Sequence, residues 1–170
     1  MMETDGTKCT HGDSNTMRKW SGYLNTQKYS ECQLVTAINA WYHLTGRSIA
    51  QDTEEYEALV DRCCARHGAA LGMQKIHQQF GLRILAEHES LWEFRKGSRT
   101  LPLPIEACLW HKRTGFHSVL IVDQCLKTDC LRITNFRQVT SGEGWMFSED
   151  LYQYEHRAPA MAKYRLFGVK

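Results

Sequence analysis

The sequence predicts an α+β domain in which N-terminal helices pack on a C-terminal antiparallel sheet. In the first half of the chain, apolar residues recur at helical spacing, for example at Leu34, Ile38 and Trp41. Later in the chain they fall instead in short runs that turn-like segments separate. Two prolines, Pro102 and Pro104, mark the change between the two patterns. Helices followed by strands in this order are typical of the α+β class.

Three helices are predicted ahead of the sheet, over residues 31–44, 48–68 and 72–80. Ser30 is the expected N-cap of the first helix, and Gly46 supplies the left-handed residue that ends it. The second helix opens on a capping box at residues 48–51. Its buried face is expected to contain Tyr56, Leu59, Val60 and Cys63.

Five strands are predicted, over residues 82–86, 105–110, 116–122, 130–134 and 161–167. Turn-like segments at residues 111–115 and 123–129 join three of these strands, which indicates antiparallel hairpins. A helical turn at residues 90–96 and a short helix at residues 148–154 complete the predicted elements.

Length and composition favour one domain. A chain of 170 residues is long enough to bury a single core, and no repeat or linker divides it. Residues 1–15 lack periodicity and are expected to form a flexible tail, which leaves residues 16–170 for the domain. The net charge is only +2 and the basic residues are scattered, so no nucleic-acid partner is expected. No apolar run is long enough to predict a membrane span.

Cysteine usage favours a reducing compartment. The chain has seven cysteines, an odd number, without the spacing of a disulfide framework, and its polar N-terminus has no apolar signal segment. We therefore expect free thiols and a cytoplasmic protein. Cys125 and Cys130 flank a predicted turn, where a cross-hairpin disulfide is the alternative to two thiols. The cysteines and histidines form no paired Cys-x-x-Cys knuckles, so we expect neither a metal site nor another cofactor.

Cys32 is the candidate nucleophile. It falls in the first turn of the first predicted helix, where backbone N–H groups and the helix dipole stabilise an anion. A thiolate in that position is a nucleophile at neutral pH. A single cysteine is also commonly just a small buried residue. The rest of the chain must therefore supply the base, the orienting group and the oxyanion donors that thiol catalysis requires.

The sequence offers one candidate for each of these roles. His117 starts an apolar strand and is the candidate base, with a core histidine as the structural alternative. Asn135 closes the next strand, where a hairpin would set its side-chain carbonyl beside His117 and fix the imidazole tautomer. Its structural alternative is a residue that simply ends a strand. Gln27 precedes Cys32 and is expected to present its amide N–H to the oxyanion, together with the Cys32 backbone N–H.

These residues resemble the motifs of a known family. Gln27, Cys32 and the segments at residues 115–122 and 131–136 resemble the Gln, Cys, His and Asn or Asp motifs of papain-like cysteine peptidases. The branch that they resemble most is the C39-like group of bacteriocin-processing peptidases and their stand-alone relatives. The resemblance extends from about Trp20 to Tyr154.

The resemblance implies a papain-like fold, with the cysteine helix on one side of a cleft and the strands of His117 and Asn135 on the other. It also implies that a Cys-His-Asn triad cleaves an amide bond in a peptide or protein through an acyl-enzyme. The spacing from Gln27 to Cys32 is one residue shorter than is usual in the family, which makes Asn25 an alternative oxyanion donor. The glycine that commonly follows the cysteine is absent, and Asn135 stands where the C39 group more often has aspartate.

Two other functions use the same residues. A transamidase, deamidase or acyltransferase would pass the same thioester to a different acceptor, and a peptide-binding module would keep the fold without catalysis.

Overall fold

A computed structural model of the chain shows helices packed on a six-stranded antiparallel sheet. The structure describes residues 18–28, 30–63, 69–95, 97, 99–112, 115–137, 142–155 and 163–170. The predicted tail over residues 1–15 lies outside the described residues. The second helix ends at Arg62, so its predicted end near residues 67–68 is wrong.

The helices come first in the chain and the sheet follows, so the predicted α+β class is confirmed. The first three helices are α1 (Cys32–Thr45), α2 (Glu54–Arg62) and α3 (Ala69–Gln79). The strands are β1 (Leu82–His88), β2 (Ile105–His111), β3 (Gly115–Cys125), β4 (Cys130–Thr134), β5 (Trp145–Phe147) and β6 (Tyr164–Val169). A short helix, α4 (Ser148–Tyr152), follows β5, and single turns of 3-10 helix form at Trp20–Gly22 and Leu91–Phe94. Strand β5 was not predicted.

The strands lie in the order β1-β6-β2-β3-β4-β5, and every neighbouring pair is antiparallel. The hairpins predicted on either side of β3 are therefore confirmed. In the β2–β3 hairpin the register is unbroken from the pair Ile105 and Ile121 to the pair His111 and Gly115. Alternate residues of β3 consequently face opposite sides of the sheet over that whole length.

The sheet is covered on both faces. Leu120 and Val122 of β3 belong to an apolar cluster with α1, α2 and α3, whereas Val119 and Ile121 belong to a second cluster on the opposite face. Leu151 of α4 joins that second cluster. The predicted packing of the N-terminal helices on the sheet is therefore confirmed for α1, α2 and α3, and α4 lies on the opposite face.

Helix α1 runs along β3 in the same direction as the strand. Near its start, the hydroxyl groups of Thr36 and Ser118 lie 2.9 Å apart. Near its end, His43 lines a cavity of about 210 Å³ together with Val122. The first residue of the helix, Cys32, is therefore at the end of β3 that carries His117.

The N-cap residues of α1 and α2 differ from the predictions. Glu31 rather than Ser30 is the N-cap of α1, and its side chain accepts a hydrogen bond from Tyr56 instead of capping the helix. The capping box at residues 48–51 is also wrong, because Thr53 is the N-cap of α2 and its hydroxyl accepts from the Tyr56 backbone N–H at 3.2 Å. The predicted buried face of α2 and the left-handed Gly46, with φ of 80°, are confirmed.

Candidate active site

Cys32 is the first residue of α1 and is half-buried. The other described cysteines are buried, and none of the five described cysteines forms a disulfide. Cys125 and Cys130 lie directly opposite each other across the β3–β4 hairpin as thiols. Among the described thiols, Cys32 is thus the one most accessible to a substrate or a reagent.

The Cys32 thiol is less acidic than an ordinary cysteine. Burial raises its pKa from 9.0, and the nearby Glu106 carboxylate raises it further. Hydrogen bonds from the backbone of Ser118, Gln33 and Cys32 itself lower the pKa, but burial is the largest contribution. The expectation of a thiolate at neutral pH is therefore wrong for the unliganded protein, because loss of hydration outweighs the helix N-terminus.

His117 is half-buried on β3, and its Nε2 lies 2.6 Å from the main-chain oxygen of Asn135. A carbonyl oxygen can only accept, so Nε2 carries the ring proton and Nδ1 keeps its lone pair. Burial lowers the pKa of His117 below its usual 6.5, against a smaller opposite effect of the Asn135 carbonyl. The imidazole is therefore neutral at pH 7, with Nδ1 as its basic atom.

Asn135 lies beside His117, as the hairpin prediction requires, but the contact comes from its main chain. Its backbone is in the left-handed region, with φ of 55°, and its side-chain amide donates to Gln27 Oε1 at 2.7 Å. Asparagine tolerates this backbone conformation better than most residues do. The predicted contact from the Asn135 side-chain carbonyl to His117 is thus replaced by one from the main-chain carbonyl.

Both candidate oxyanion residues contact Asn135. Gln27 accepts from the Asn135 side chain, and Asn25 Oδ1 accepts from the Asn135 backbone N–H at 3.0 Å. The amide nitrogen of Asn25 also donates to the Tyr23 carbonyl oxygen at 3.3 Å. The segment before Cys32 is therefore held against the end of β4.

Cys32 and His117 approach the same backbone segment from different sides. Strand alternation directs Ser118 toward α1, whereas the His117 ring stacks on Phe136 of the opposite apolar cluster, with centroids 6.3 Å apart. The Cys32 thiol meets the Ser118 backbone between them. Within the described part of the chain, no hydrogen bond joins the thiol to the imidazole.

A buried polar network, absent from the predictions, lies beneath Cys32. Ser118 donates its hydroxyl hydrogen to Glu106 Oε2 at 2.6 Å, and Arg165 Nη1 donates to Glu106 Oε1 at 2.8 Å. Glu106 has no exposed surface and Arg165 is 7% exposed. The sequence contains one signal of this network. Glu106 and Arg165 each lie inside an apolar strand, and a charged residue in that position requires a buried partner.

Among the described residues, no group of three or more His, Cys, Asp or Glu side chains is arranged to hold a metal ion. No helix in the described ranges is both long and apolar enough to cross a membrane.

The fold is that of a papain-like domain, in which a cysteine begins a helix that packs on an antiparallel sheet. It is similar to the crystal structure of the peptidase domain of Streptococcus ComA, a bifunctional ABC transporter involved in a quorum-sensing pathway. The TM-score is 0.62 at 13% sequence identity, over 88% of this chain and 99% of that chain. No protein-family model and no curated protein sequence matches the chain. The similarity to the C39-like peptidase domains is thus confirmed at the level of the fold.

Proposed function

We propose that the protein is a cysteine peptidase in which Cys32 is the nucleophile and His117 is the base. The observation that carries the proposal is the hydrogen bond between His117 Nε2 and the Asn135 carbonyl, at 2.6 Å. This hydrogen bond keeps the ring proton on Nε2 and leaves Nδ1 as the basic atom. His117 belongs to β3, and the backbone of Ser118 in the same strand contacts the Cys32 thiol. The papain-like fold supports a peptide or protein as the substrate.

In the proposed reaction, thiol and imidazole are both neutral before the substrate binds. A bound peptide brings Sγ and Nδ1 together, since catalytic hydrogen bonds often tighten only in the complex. As Sγ attacks the amide carbonyl, Nδ1 takes the thiol proton, and the oxyanion forms opposite the Cys32 backbone N–H. Gln27, which contacts Asn135 beside His117, is the proposed second donor, and Asn25, which also contacts Asn135, is the alternative.

The tetrahedral intermediate then collapses as the C–N bond breaks, and the imidazolium gives its proton to the departing amine. The remaining thioester is the acyl-enzyme. Water attacks its carbonyl carbon while Nδ1 accepts a water proton, the C–S bond breaks, and that proton returns to the thiol. The products are one amine and one carboxylic acid, and Cys32 and His117 return to their neutral forms.

Cleavage of a proteome-derived peptide library, read by mass spectrometry, tests the proposal. The unmodified protein should create new peptide termini, and the Cys32→Ala variant should create none. Cys125→Ala is the matched control, because it removes a thiol from β3 that has no role in the proposed reaction. Cleavage that survives Cys32→Ala would contradict the proposal. Products that form only when an amine acceptor is added would indicate a transamidase instead.

The rate of Cys32 alkylation by iodoacetamide separates an enzyme from a binding module. Preferential labelling of Cys32 is not sufficient, because exposure alone favours it over the buried thiols. If His117 is the base, His117→Ala should slow labelling by an iodoacetamide attached to a peptide, which brings Sγ and Nδ1 together, by about 10-fold or more at pH 7. An unchanged rate together with intact peptide binding would support the non-catalytic module.

A further inference from the structure

The tip of the β2–β3 hairpin carries two exposed aromatic rings. Trp110 is 47% exposed and Phe116 is 53% exposed. The two residues are directly opposite in the antiparallel register, so their side chains share one face of the sheet at neighbouring positions. The other exposed large apolar side chains among the described residues are aliphatic and lie elsewhere: Ile84, Leu85 and Leu126. We call Trp110 and Phe116 the aromatic pair.

The aromatic pair lies on the same face of the sheet as Cys32. The unbroken register places Phe116, Ser118 and Leu120 on one face of β3. The Ser118 hydroxyl contacts Thr36 of α1, and Leu120 packs in the cluster that contains α1. Phe116 and its partner Trp110 therefore face the side on which α1 lies.

Along the strand, the aromatic pair is just beyond the start of α1. The helix runs parallel to β3, and its first residue contacts the backbone of Ser118. Phe116 is two residues nearer the hairpin tip, about 7 Å further along an extended strand. Helix α1 begins level with Ser118 and leaves the aromatic pair exposed, one step of alternate residues along the same face from the backbone that the Cys32 thiol contacts.

We propose that Trp110 and Phe116 form a subsite for a large apolar side chain of the substrate, next to the bond that is cleaved. The inference deepens the proposed peptidase function and rests on it. Two adjacent rings offer a broad apolar surface and favour aromatic or branched aliphatic groups. Burying such a group against the aromatic pair removes apolar surface of both partners from water. A polar substrate side chain at that position would gain no comparable free energy of binding from this surface.

Two alkylating reagents that differ by one apolar group test the subsite on the intact protein. Iodoacetamide and N-benzyl iodoacetamide form the same thioether with Cys32 and release iodide, but only the second presents a ring. The ratio of the benzyl rate to the plain rate should fall by about 10-fold in Trp110→Ala and in Phe116→Ala. Leu126→Ala removes a similarly exposed apolar side chain, 42% exposed, and should leave the ratio unchanged.

The plain iodoacetamide rate serves as the folding control, because it reports the state of the Cys32 thiol in each variant. A ratio that is the same in the wild type and in both aromatic variants would overturn the subsite, as would an equal fall in Leu126→Ala. The measurement needs no peptide cleavage. If the rate ratio depends on the aromatic pair but the protein cleaves no peptide, the proposed peptidase function is rejected. The aromatic pair would then still be shown to bind apolar groups near Cys32.

Discussion

At the scale of single residues, the candidate site consists of groups that are neutral before a substrate binds. Burial raises the pKa of Cys32 and lowers that of His117, so each shift favours the uncharged form. A preformed thiolate and imidazolium pair is therefore disfavoured in the unliganded protein. In the proposed reaction, proton transfer from Sγ to Nδ1 therefore accompanies nucleophilic attack, and the oxyanion donors stabilise the negative charge that develops on the substrate.

Substitutions of Asn135 separate its backbone role from its side-chain role. Asn135→Gly keeps the left-handed conformation and the carbonyl that accepts from His117, whereas Asn135→Ala strains the backbone. Both variants lose the contact with Gln27. In urea unfolding, Asn135→Ala should therefore be less stable than Asn135→Gly by about 1 kcal/mol.

The rate of Cys32 alkylation tests whether the backbone or the side chain of Asn135 orients His117. Asn135→Gly should keep most of the His117-dependent rate, since the main-chain carbonyl that orients the ring remains. If the glycine variant instead loses that rate as fully as His117→Ala does, the side chain rather than the carbonyl orients the histidine.

At the scale of elements, the start of α2 shows how two similar sequence signals compete. Ser48 with Gln51 has capping-box spacing, but the helix begins only after Thr53. The Gln51 side-chain amide is engaged elsewhere, because it donates to the Thr26 backbone carbonyl in the segment that leads to Cys32. A long-range contact therefore excludes the earlier cap.

The two candidate caps can be compared by a pair of alanine variants. Thr53→Ala removes the acceptor for the Tyr56 backbone N–H and should lower the free energy of unfolding by about 1 kcal/mol. Ser48→Ala should change it by less than about 0.5 kcal/mol, because this exposed serine caps nothing. Urea denaturation at pH 7 measures both. The assignment of the cap is wrong if Ser48→Ala is the more destabilising change.

At the scale of the whole molecule, one buried carboxylate connects four elements. Glu106 of β2 accepts from Ser118 of β3 and from Arg165 of β6, and Ser118 also contacts Thr36 of α1. Arg165 has a second carboxylate partner, Glu87, at 3.1 Å, whose side chain is 46% exposed. The two glutamates thus pair with the same guanidinium but differ in burial and in their link to the site.

Glu106→Gln should therefore be far more disruptive than Glu87→Gln. Leaving the buried Arg165 charge without its main partner should cost about 3 kcal/mol, whereas the exposed pair contributes less than about 1 kcal/mol. The Glu106 charge also raises the pKa of Cys32. Its removal should shift the pH profile of Cys32 alkylation to lower pH, and Glu87→Gln should not move it.

Chemical denaturation and alkylation rates between pH 6 and 10 measure the two effects independently. A Glu106→Gln profile that coincides with the wild-type profile would show that this carboxylate supports the fold without acting on the thiol. Equal losses of stability in the two variants would contradict the assignment of Glu106 as the main partner of Arg165.

Features that depend on neighbours along the chain were predictable from the residues alone. Helical periodicity and turn residues were sufficient for the order of the elements other than β5, the buried face of α2 and the ending of α1 at Gly46. Hairpin connectivity was sufficient to place His117 beside Asn135. These features rest on spacing and on short connections, which a single sequence displays directly.

The protonation and the environment of the candidate site depend on tertiary packing. The neutral Cys32 thiol, the main-chain contact to His117 and the Glu106 network depend on which surfaces come together, and the Ser118 and Thr36 hydroxyl groups that meet there are 82 residues apart. Burial and distant charges set a pKa, and neither can be read from local spacing. The sequence therefore identifies candidate site residues, but the packing of α1 against β3 determines their protonation.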